Sequence, residues 1–421
     1  MFGILRHIQG WAKIKGGSDG TFIGNVDDKI KTVSSFSPEA LTAFGRQKTS
    51  VPTVIFEANF VENDGSRLFD NDTTGGGSVT HNTTSKQIDL SCGTASGDSA
   101  IIQSFRRIKY TPGQSDDVII VQKLNTKANV RSRCGLFDSS DGVYFEHDGS
   151  TLGVCIRNSI SASTNRISQS NWNIDTLDGT GPSGKTIDLT KVQIFYIDFQ
   201  WLGAGSVRFG VFIDGELVFC HKENHANVIS ASKYMRTATL PIRWEIENTG
   251  TAASATTLEA SCCSVINEGV TLNPQTVRSI ANDNFKSIPS NGNREPLVSI
   301  RLKSSSDIAN LRPKSFSFLS ETADEIEVQL ILGGNLTGGS WVSVDSTSSA
   351  DANLTATDHT GGIILYTALV KSKSDANIDL PITDGIIGKA IDGTPQEIHL
   401  VARTLNNAAS GAGALVWEEI Y

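Results

Sequence analysis

Arg243-Trp-Glu-Ile-Glu247 places two carboxylates, Glu245 and Glu247, two residues apart, so in a strand both project from the same face. Two carboxyl groups on one sheet surface are the equipment of glycoside hydrolysis, one to protonate the leaving oxygen and one to act as base or nucleophile. The Glu-x-Asp-x-x-Glu spacing used by sandwich-fold glycosidases is incomplete here, because Gly250 stands at the last position. The expectation is therefore a solvated strand face on which Arg243 neutralises its neighbours.

Other sets of reactive residue types fall short in similar ways. His221-Lys-Glu-Asn-His225 has two imidazoles, but Lys222 occupies the place where a zinc protease needs Glu beside the first His. The two rings are expected to hydrogen-bond nearby backbone groups where a strand runs out into a loop. Asp70-Asn-Asp72 opens like a calcium loop, yet Thr74 and the glycines after it supply neither a third acidic ligand nor a closing Glu. Gly75-Gly-Gly77 lacks the Lys and Ser/Thr of a phosphate-binding loop. Asp141-Gly142 reads as a hairpin turn. No set assembles a nucleophile with a base, and none calls for a metal or a cofactor. The six cysteines (Cys92, Cys134, Cys155, Cys220, Cys262, Cys263) form no C-x-x-C pair and read as buried thiols, with Cys262 and Cys263 pointing to opposite faces of one strand.

The elements that carry these residues are short strands. Phe195, Ile197, Phe199 and Trp201 alternate with Tyr196, Asp198 and Gln200, the period of a half-buried strand. Val207, Phe209, Val211 and Ile213 follow on one face, and Asp214-Gly215 supplies a type I′ turn into Glu216–Cys220. Asp148-Gly149 returns into Leu152, Val154 and Ile156 in the same manner. Further strands are expected at Leu297–Leu302, Glu325–Leu332, Ile398–Arg403 and Leu415–Tyr421. Helix-length periodic segments are missing between them, which disfavours a parallel α/β fold. The fold class is all-β: two β-sandwich domains, jelly-roll or concanavalin-like, preceded by an extended N-terminal arm. The boundaries read as 1–85 for the arm, 86–270 for the first sandwich and 284–421 for a C-terminal β-rich domain.

Composition agrees with this architecture. Among 421 residues there are 39 Gly and only two Met, a balance that suits tight turns over long helices. The net charge of −9 comes without a basic run, so nucleic acid is not an expected partner. Arg6 cuts short the apolar start of the chain, and no stretch approaches the ~18 apolar residues of a membrane span, so neither export nor a membrane partner is expected. In the arm, apolar residues come in isolated pairs between polar clusters, too sparse to bury a core alone. Trp11, Phe22, Phe36 and Phe44 are its candidate assembly anchors, since large aromatics without a local core tend to dominate interfaces. Trp172, Trp201 and Trp244 are candidate glycan-stacking platforms, set against the commoner fate of strand aromatics in a core.

Several stretches resemble structural proteins of tailed-bacteriophage virions. They are Gly17–Asp28, Ala43–Arg46 and Pro52–Phe56, then Arg133–Asp138, Asp141–Glu146, Ser170–Asn173, Asp178–Gly181, Gln193–Gly203, His225–Asn227 and Leu240–Glu245, which together run through most of residues 17 to 270. The resemblance implies a non-enzymatic particle component made in the host bacterial cytoplasm and displayed on the virion surface. Capsid decoration or a head or neck fibre leads, with a tail fibre or glycan-binding appendage as the alternative and a glycoside hydrolase behind it. Its partners would be other virion proteins and further copies of itself, as a homotrimer. Residues 284 to 421 carry no such resemblance.

Overall fold

The computed structural model describes residues 40–229, 233–269, 276–290, 292–322, 324–371, 373–380 and 385–421. Within them the chain is all-β and forms two sandwiches. The first uses β1 (Pro52–Asn59), β2 (Phe69–Thr74), β3 (Ser78–Asn82), β4 (Gln87–Cys92), β5 (Ser99–Ser104), β6 (Asp116–Lys123), β7 (Val130–Phe137), β8 (Gly142–His147), β9 (Leu152–Asn158) and β10 (Ser163–Ser168). It continues with β11 (Gln193–Gln200), β12 (Ser206–Ile213), β13 (Glu216–Asn224), β14 (Ile242–Asn248) and β15 (Thr256–Glu268). One sheet runs β13-β12-β11-β6-β15-β4-β3, with β1 also pairing β15, and the opposing sheet runs β10-β9-β8-β7-β14-β5-β2.

Alternation builds the core between these sheets. Phe195, Ile197 and Phe199 of β11 meet Val143 and Phe145 of β8 and Trp244 of β14 in one apolar cluster. Phe145 stacks on Phe195 with ring centroids 4.2 Å apart and meets Phe209 edge-on at 5.5 Å. Trp244 lies against Phe60 and Phe69, and its indole N–H donates to Gln122 Oε1 at 3.4 Å, which gives the buried polar tip a partner. The Asp214-Gly215 turn joins β12 to β13 with both residues at positive φ (54° and 81°), as a type I′ turn requires.

The second sandwich has β16 (Thr276–Ala281), β17 (Lys286–Ile288), β18 (Glu295–Leu302), β19 (Asn310–Ser320), β20 (Ile326–Leu332), β21 (Asn335–Thr337), β22 (Val342–Ser343), β23 (Ala350–Asn353) and β24 (Asp358–Thr360). It closes with β25 (Ile363–Val370), β26 (Asp375–Asp379), β27 (Glu397–Thr404) and β28 (Ala409–Ile420). Its sheets run β16-β28-β19-β26, with β17 also on β28, and β22-β23-β18-β27-β20-β25; β21 and β24 pair separately. Leu297, Ile300, Phe316, Leu330, Leu400 and Trp417 fill the space between the sheets. Gly413 of β28 lets the two sheets approach, because a Cβ there would lie 2.9 Å from Leu297 Cδ1 and 3.0 Å from Leu400 Cδ2.

Two boundaries and one strand's burial differ from the sequence reading. Residues 52–82 are three strands of the first sandwich and not part of an arm: β1 pairs β15, β2 pairs β5 and β3 pairs β4. They look unpatterned because β1 to β3 lie at the sheet margins, where most positions face solvent. The second sandwich begins by Thr276, since β16 pairs with the C-terminal strand. Strand β11 is buried on both faces, with Tyr196, Asp198 and Gln200 as enclosed as Phe195. The cover over Asp198 and Tyr196 is residues 40–48, a tight loop closed by Thr42 N–H to Arg46 C=O at 2.8 Å.

Segments 104–108 and 387–391 join the sandwiches. Arg107 N–H donates to Asn310 Oδ1 at 3.0 Å and Asn310 Nδ2 returns to Arg107 C=O at 2.9 Å. Lys389 N–H donates to Phe105 C=O at 3.2 Å, and Ile391 N–H to Asp70 Oδ2 at 2.8 Å.

Candidate functional site

The outward face of the β10-β9-β8-β7-β14-β5-β2 sheet carries the carboxylates singled out above. In β14, Ile242, Trp244 and Ile246 enter the core, so Arg243, Glu245 and Glu247 point outward. Register then dictates their neighbours: Glu245 is opposite Arg133 of β7, Glu247 opposite Arg131, and Arg133 opposite Glu146 of β8. Arg133 Nε donates to Glu146 Oε2 at 2.8 Å, and its Nη1 donates to Glu245 Oε1. Arg243 meets Glu245 Oε2 at 2.6 Å and donates to Gln103 Oε1 at 3.1 Å, Arg166 meets Glu146 Oε1 at 2.8 Å, and Arg131 meets Glu247 Oε2 at 2.5 Å.

This face is a closed lattice of charge pairs, a correction to the solvated face expected from the letters. Glu245 is 6% exposed and Arg133 7%. The long arginine stems cover the sheet, with Arg157 5.2 Å from the Tyr144 ring centroid and Arg243 5.4 Å from that of Phe137. Burial would raise the Glu245 carboxyl, but Arg243 and Arg133 outweigh it and hold the group below the usual Glu range. The Glu245 carboxylate is thus committed to two guanidinium partners within the sheet face.

The opposite outward face carries a second cluster, which no spacing in the sequence announced. Lys48 Nζ reaches across from the 40–48 loop to Asp117 Oδ2 at 2.6 Å and Glu268 Oε1 at 3.2 Å. Arg208 Nε donates to Asp198 Oδ2 at 3.0 Å and its Nη2 to Leu41 C=O, while Ser115 Oγ donates to Asp198 Oδ1. On the inward side of β6, burial pushes the Asp116 carboxyl up to about 8, and Asn267 Nδ2 donates to it at 2.6 Å. Burial also raises Asp117 and Asp198, against the pull of Lys48 and Arg208. The signal for this cluster was non-local: Lys48 lies 69 residues from Asp117.

The remaining candidates separate cleanly. Trp11, Phe22 and Phe36 lie outside the described residues; Phe44 sits in the 40–48 loop and is 41% exposed. Trp244 is fully buried, and Trp172 is buried with its indole N–H on Ile167 C=O at 3.2 Å, so neither offers a face to a sugar. Trp201 is half-buried, meets Tyr110 edge-on at 5.8 Å, and with Tyr110, Pro112 and Tyr421 lines a recess of about 310 Å³. His221 contacts Glu223 at 2.7 Å and accepts from Asn173 N–H, and His225 contacts Gly205 C=O and stacks on Tyr234. Among the described residues no group of three or more His, Cys, Asp or Glu could hold a metal ion.

Asp70 and Asp72 belong to strand β2, and Asp141, the last residue of the β7–β8 turn, is a buried hub that accepts from Ser159 and from Arg236 N–H. The turn itself is organised by Asp138, which accepts from the N–H groups of Ser140 and Asp141. The Gly75–Gly77 run makes room for the Asp98 carboxylate, which accepts Gly76 N–H at 2.8 Å; a Cβ on Gly76 would lie 2.8 Å from Asp98 Oδ2. All six cysteines are unpaired; Cys263 is buried and Cys262 half-buried.

No family model and no curated protein matches the chain. Solved structures are similar to it at low identity. The legume lectin-like domain from Entamoeba histolytica is 8% identical, with 52% of this chain and 98% of that one covered, at a TM-score of 0.32. A β-glucanase of Bacillus licheniformis is 12% identical, with 50% and 96% covered, at 0.32. A glycoside hydrolase family protein from Mycobacterium thermorestibile is 12% identical, with 50% and 100% covered, at 0.34. These likenesses concern the sandwich fold and carry nothing about activity.

Proposed function

We propose that this protein is a non-enzymatic structural component displayed on the surface of a tailed-phage particle, as a capsid decoration or a head or neck fibre. The observation that carries the non-enzymatic part is the state of Glu245. It is enclosed and shared between Arg133 and Arg243, which hold its carboxyl below the usual Glu range. The virion part rests on the stretches between residues 17 and 270 that resemble particle proteins, and assembly as a homotrimer belongs to the same reading. Attachment is assigned to the segment before residue 40. Residues 40–48 belong to the first sandwich through Lys48 and the Leu41 carbonyl, so they are not free to serve as a tether.

Quantitative mass spectrometry of purified particles tests this reading. Hundreds of copies per particle support head decoration, and a few copies support a fibre. Absence from particles refutes the virion assignment. Removing residues 1–39 should leave a soluble protein that no longer joins the particle.

The second reading, glycan binding, is favoured by the recess at Trp201, where Tyr110, Pro112 and Tyr421 add ring surface beside the indole. A glycan array on the full chain, repeated with Trp201→Ala, decides it: binding that the substitution abolishes supports the appendage reading.

A further inference from the structure

Strand β1 leaves one edge free. It pairs with β15 along one side only, and among the described residues its backbone makes no hydrogen bond beyond that ladder. Val51 and Val54 are 76% and 51% exposed, so neither charge nor packing protects this edge. A groove of about 590 Å³ runs beside it, with Val54 and Glu57 on the strand side, Arg67 and Leu68 on the facing loop, and Arg106 and Ile386 completing the walls.

The charges in this groove are unbalanced. Arg106 is half-buried, and among the described residues no carboxylate or other acceptor pairs with its guanidinium. Burial and the nearby Arg312 push its guanidinium down to about 10, while Arg312 itself is engaged by Glu418. Arg67 adds a second positive charge, and Glu57 is the one carboxylate among the described lining residues. A half-buried guanidinium without a protein acceptor is open to a charge-assisted hydrogen bond from an incoming carboxylate. A free strand edge has the complementary need for backbone donors and acceptors.

We propose that the β1 groove docks an extended acidic peptide segment of a partner protein, which adds as a strand to β1 and sets a carboxylate on Arg106. The main chain of the incoming segment supplies affinity, and alternate side chains enter the groove, the mode of strand addition. Alternating apolar and acidic residues suit both the valine-lined rim and the arginines. The proposal stands independently of the particle assignment.

The test uses the full chain and a fluorescein-labelled, end-capped octapeptide, Thr-Val-Asp-Val-Thr-Val-Asp-Val, with a control in which Lys replaces both Asp. The acidic peptide should bind by fluorescence anisotropy, the basic one at least about tenfold more weakly, since each tenfold is 1.4 kcal/mol. Arg106→Met should lose about tenfold in affinity while melting no lower than the parent, because it removes an unpaired charge. Arg67→Gln, on the exposed wall, should lose less and serves as the second variant. Hydrogen exchange should slow at the Thr53–Asn59 amides on peptide addition. Equal binding of the two peptides, an unchanged affinity in Arg106→Met, or no β1 protection at about 1 mM peptide would overturn the proposal. Self-association of the full chain that protects β1 and blocks the peptide would also overturn it, in favour of a second copy as occupant.

Discussion

Replacing Lys48 with Met keeps most of the side-chain volume and removes one charge from beneath the 40–48 loop. Lys48, Asp117 and Glu268 have side chains only 12%, 8% and 8% exposed, so solvent cannot take over the ammonium's role. The ion pairs of this cluster set the Asp117, Glu268 and Asp198 side chains against Lys48 and Arg208. The substitution removes one of these two cations and leaves Asp117 and Glu268 without their ammonium partner. Breaking a buried pair by removing one partner costs about 3–5 kcal/mol. For a domain of this size, each kcal/mol lowers the melting temperature by roughly 2–4 °C. Scanning calorimetry at pH 7 should therefore show the first sandwich melting on the order of 10 °C lower. At pH 5 the deficit should shrink, because burial already raises the Asp117 carboxyl and its protonation becomes easier as pH falls. Lys123→Met, which opens the more exposed pair with Glu259, should cost under about 1 kcal/mol. A Lys48→Met melting temperature within about 1 °C of the parent at pH 7 would refute the reasoning, as would a deficit that pH 5 leaves unchanged.

His399 in the second sandwich and Asp116 in the first should contribute to pH dependence in opposite directions. His399 is fully buried, donates to or accepts from Ser299 Oγ at 2.9 Å, and is pushed down to about 3 by burial and then by His359. The unfolded chain takes up that proton near pH 6.5, so the second sandwich loses stability as pH falls below about 6.5, by about 2 kcal/mol at pH 5; His399→Gln should flatten the calorimetric slope. Asp116 is raised, so its contribution is fully present below about pH 4 and declines as pH rises toward 8; Asp116→Asn should remove that decline from the first transition. Glu245→Gln leaves Arg133 and Arg243 short of one shared carboxylate and should lower stability by about 3 kcal/mol. An unchanged melting temperature in that variant would show that the lattice is not a buried charge network.

Most of the fold was legible because strand alternation and turn chemistry are local. Asp214-Gly215 placed a hairpin to the residue, and Leu297–Leu302, Glu325–Leu332 and Ile398–Arg403 each fall almost wholly within an observed strand. Edge strands were harder: β2, with the sequence Phe-Asp-Asn-Asp-Thr-Thr, has one buried residue and reads as a loop until its partner β5 is known. The charged faces were harder still. Glu245 and Arg243 were visible as neighbours, but the burial of the pair depends on Arg133 and Glu146, which only strand register brings alongside. Lys48 gave no warning at all, since its partners lie 69 and 220 residues further along the chain.

Both outward faces of the first sandwich are thus closed by charge pairs, one by the Arg131–Arg133–Glu146–Glu245 lattice and the other by Lys48 and Arg208 beneath the 40–48 loop. A sheet face whose ions are already matched offers little to a polar ligand, because binding there would have to break a desolvated pair before forming a new one. Edges and loops are different. Among the described residues one backbone edge of β1 is unpaired and Arg106 is without an acceptor, and at Trp201 an aromatic recess opens beside Tyr110 and Tyr421. Recognition by this protein is therefore assigned to its margins, where new hydrogen bonds form without undoing old ones, and the sandwich faces hold those margins in place.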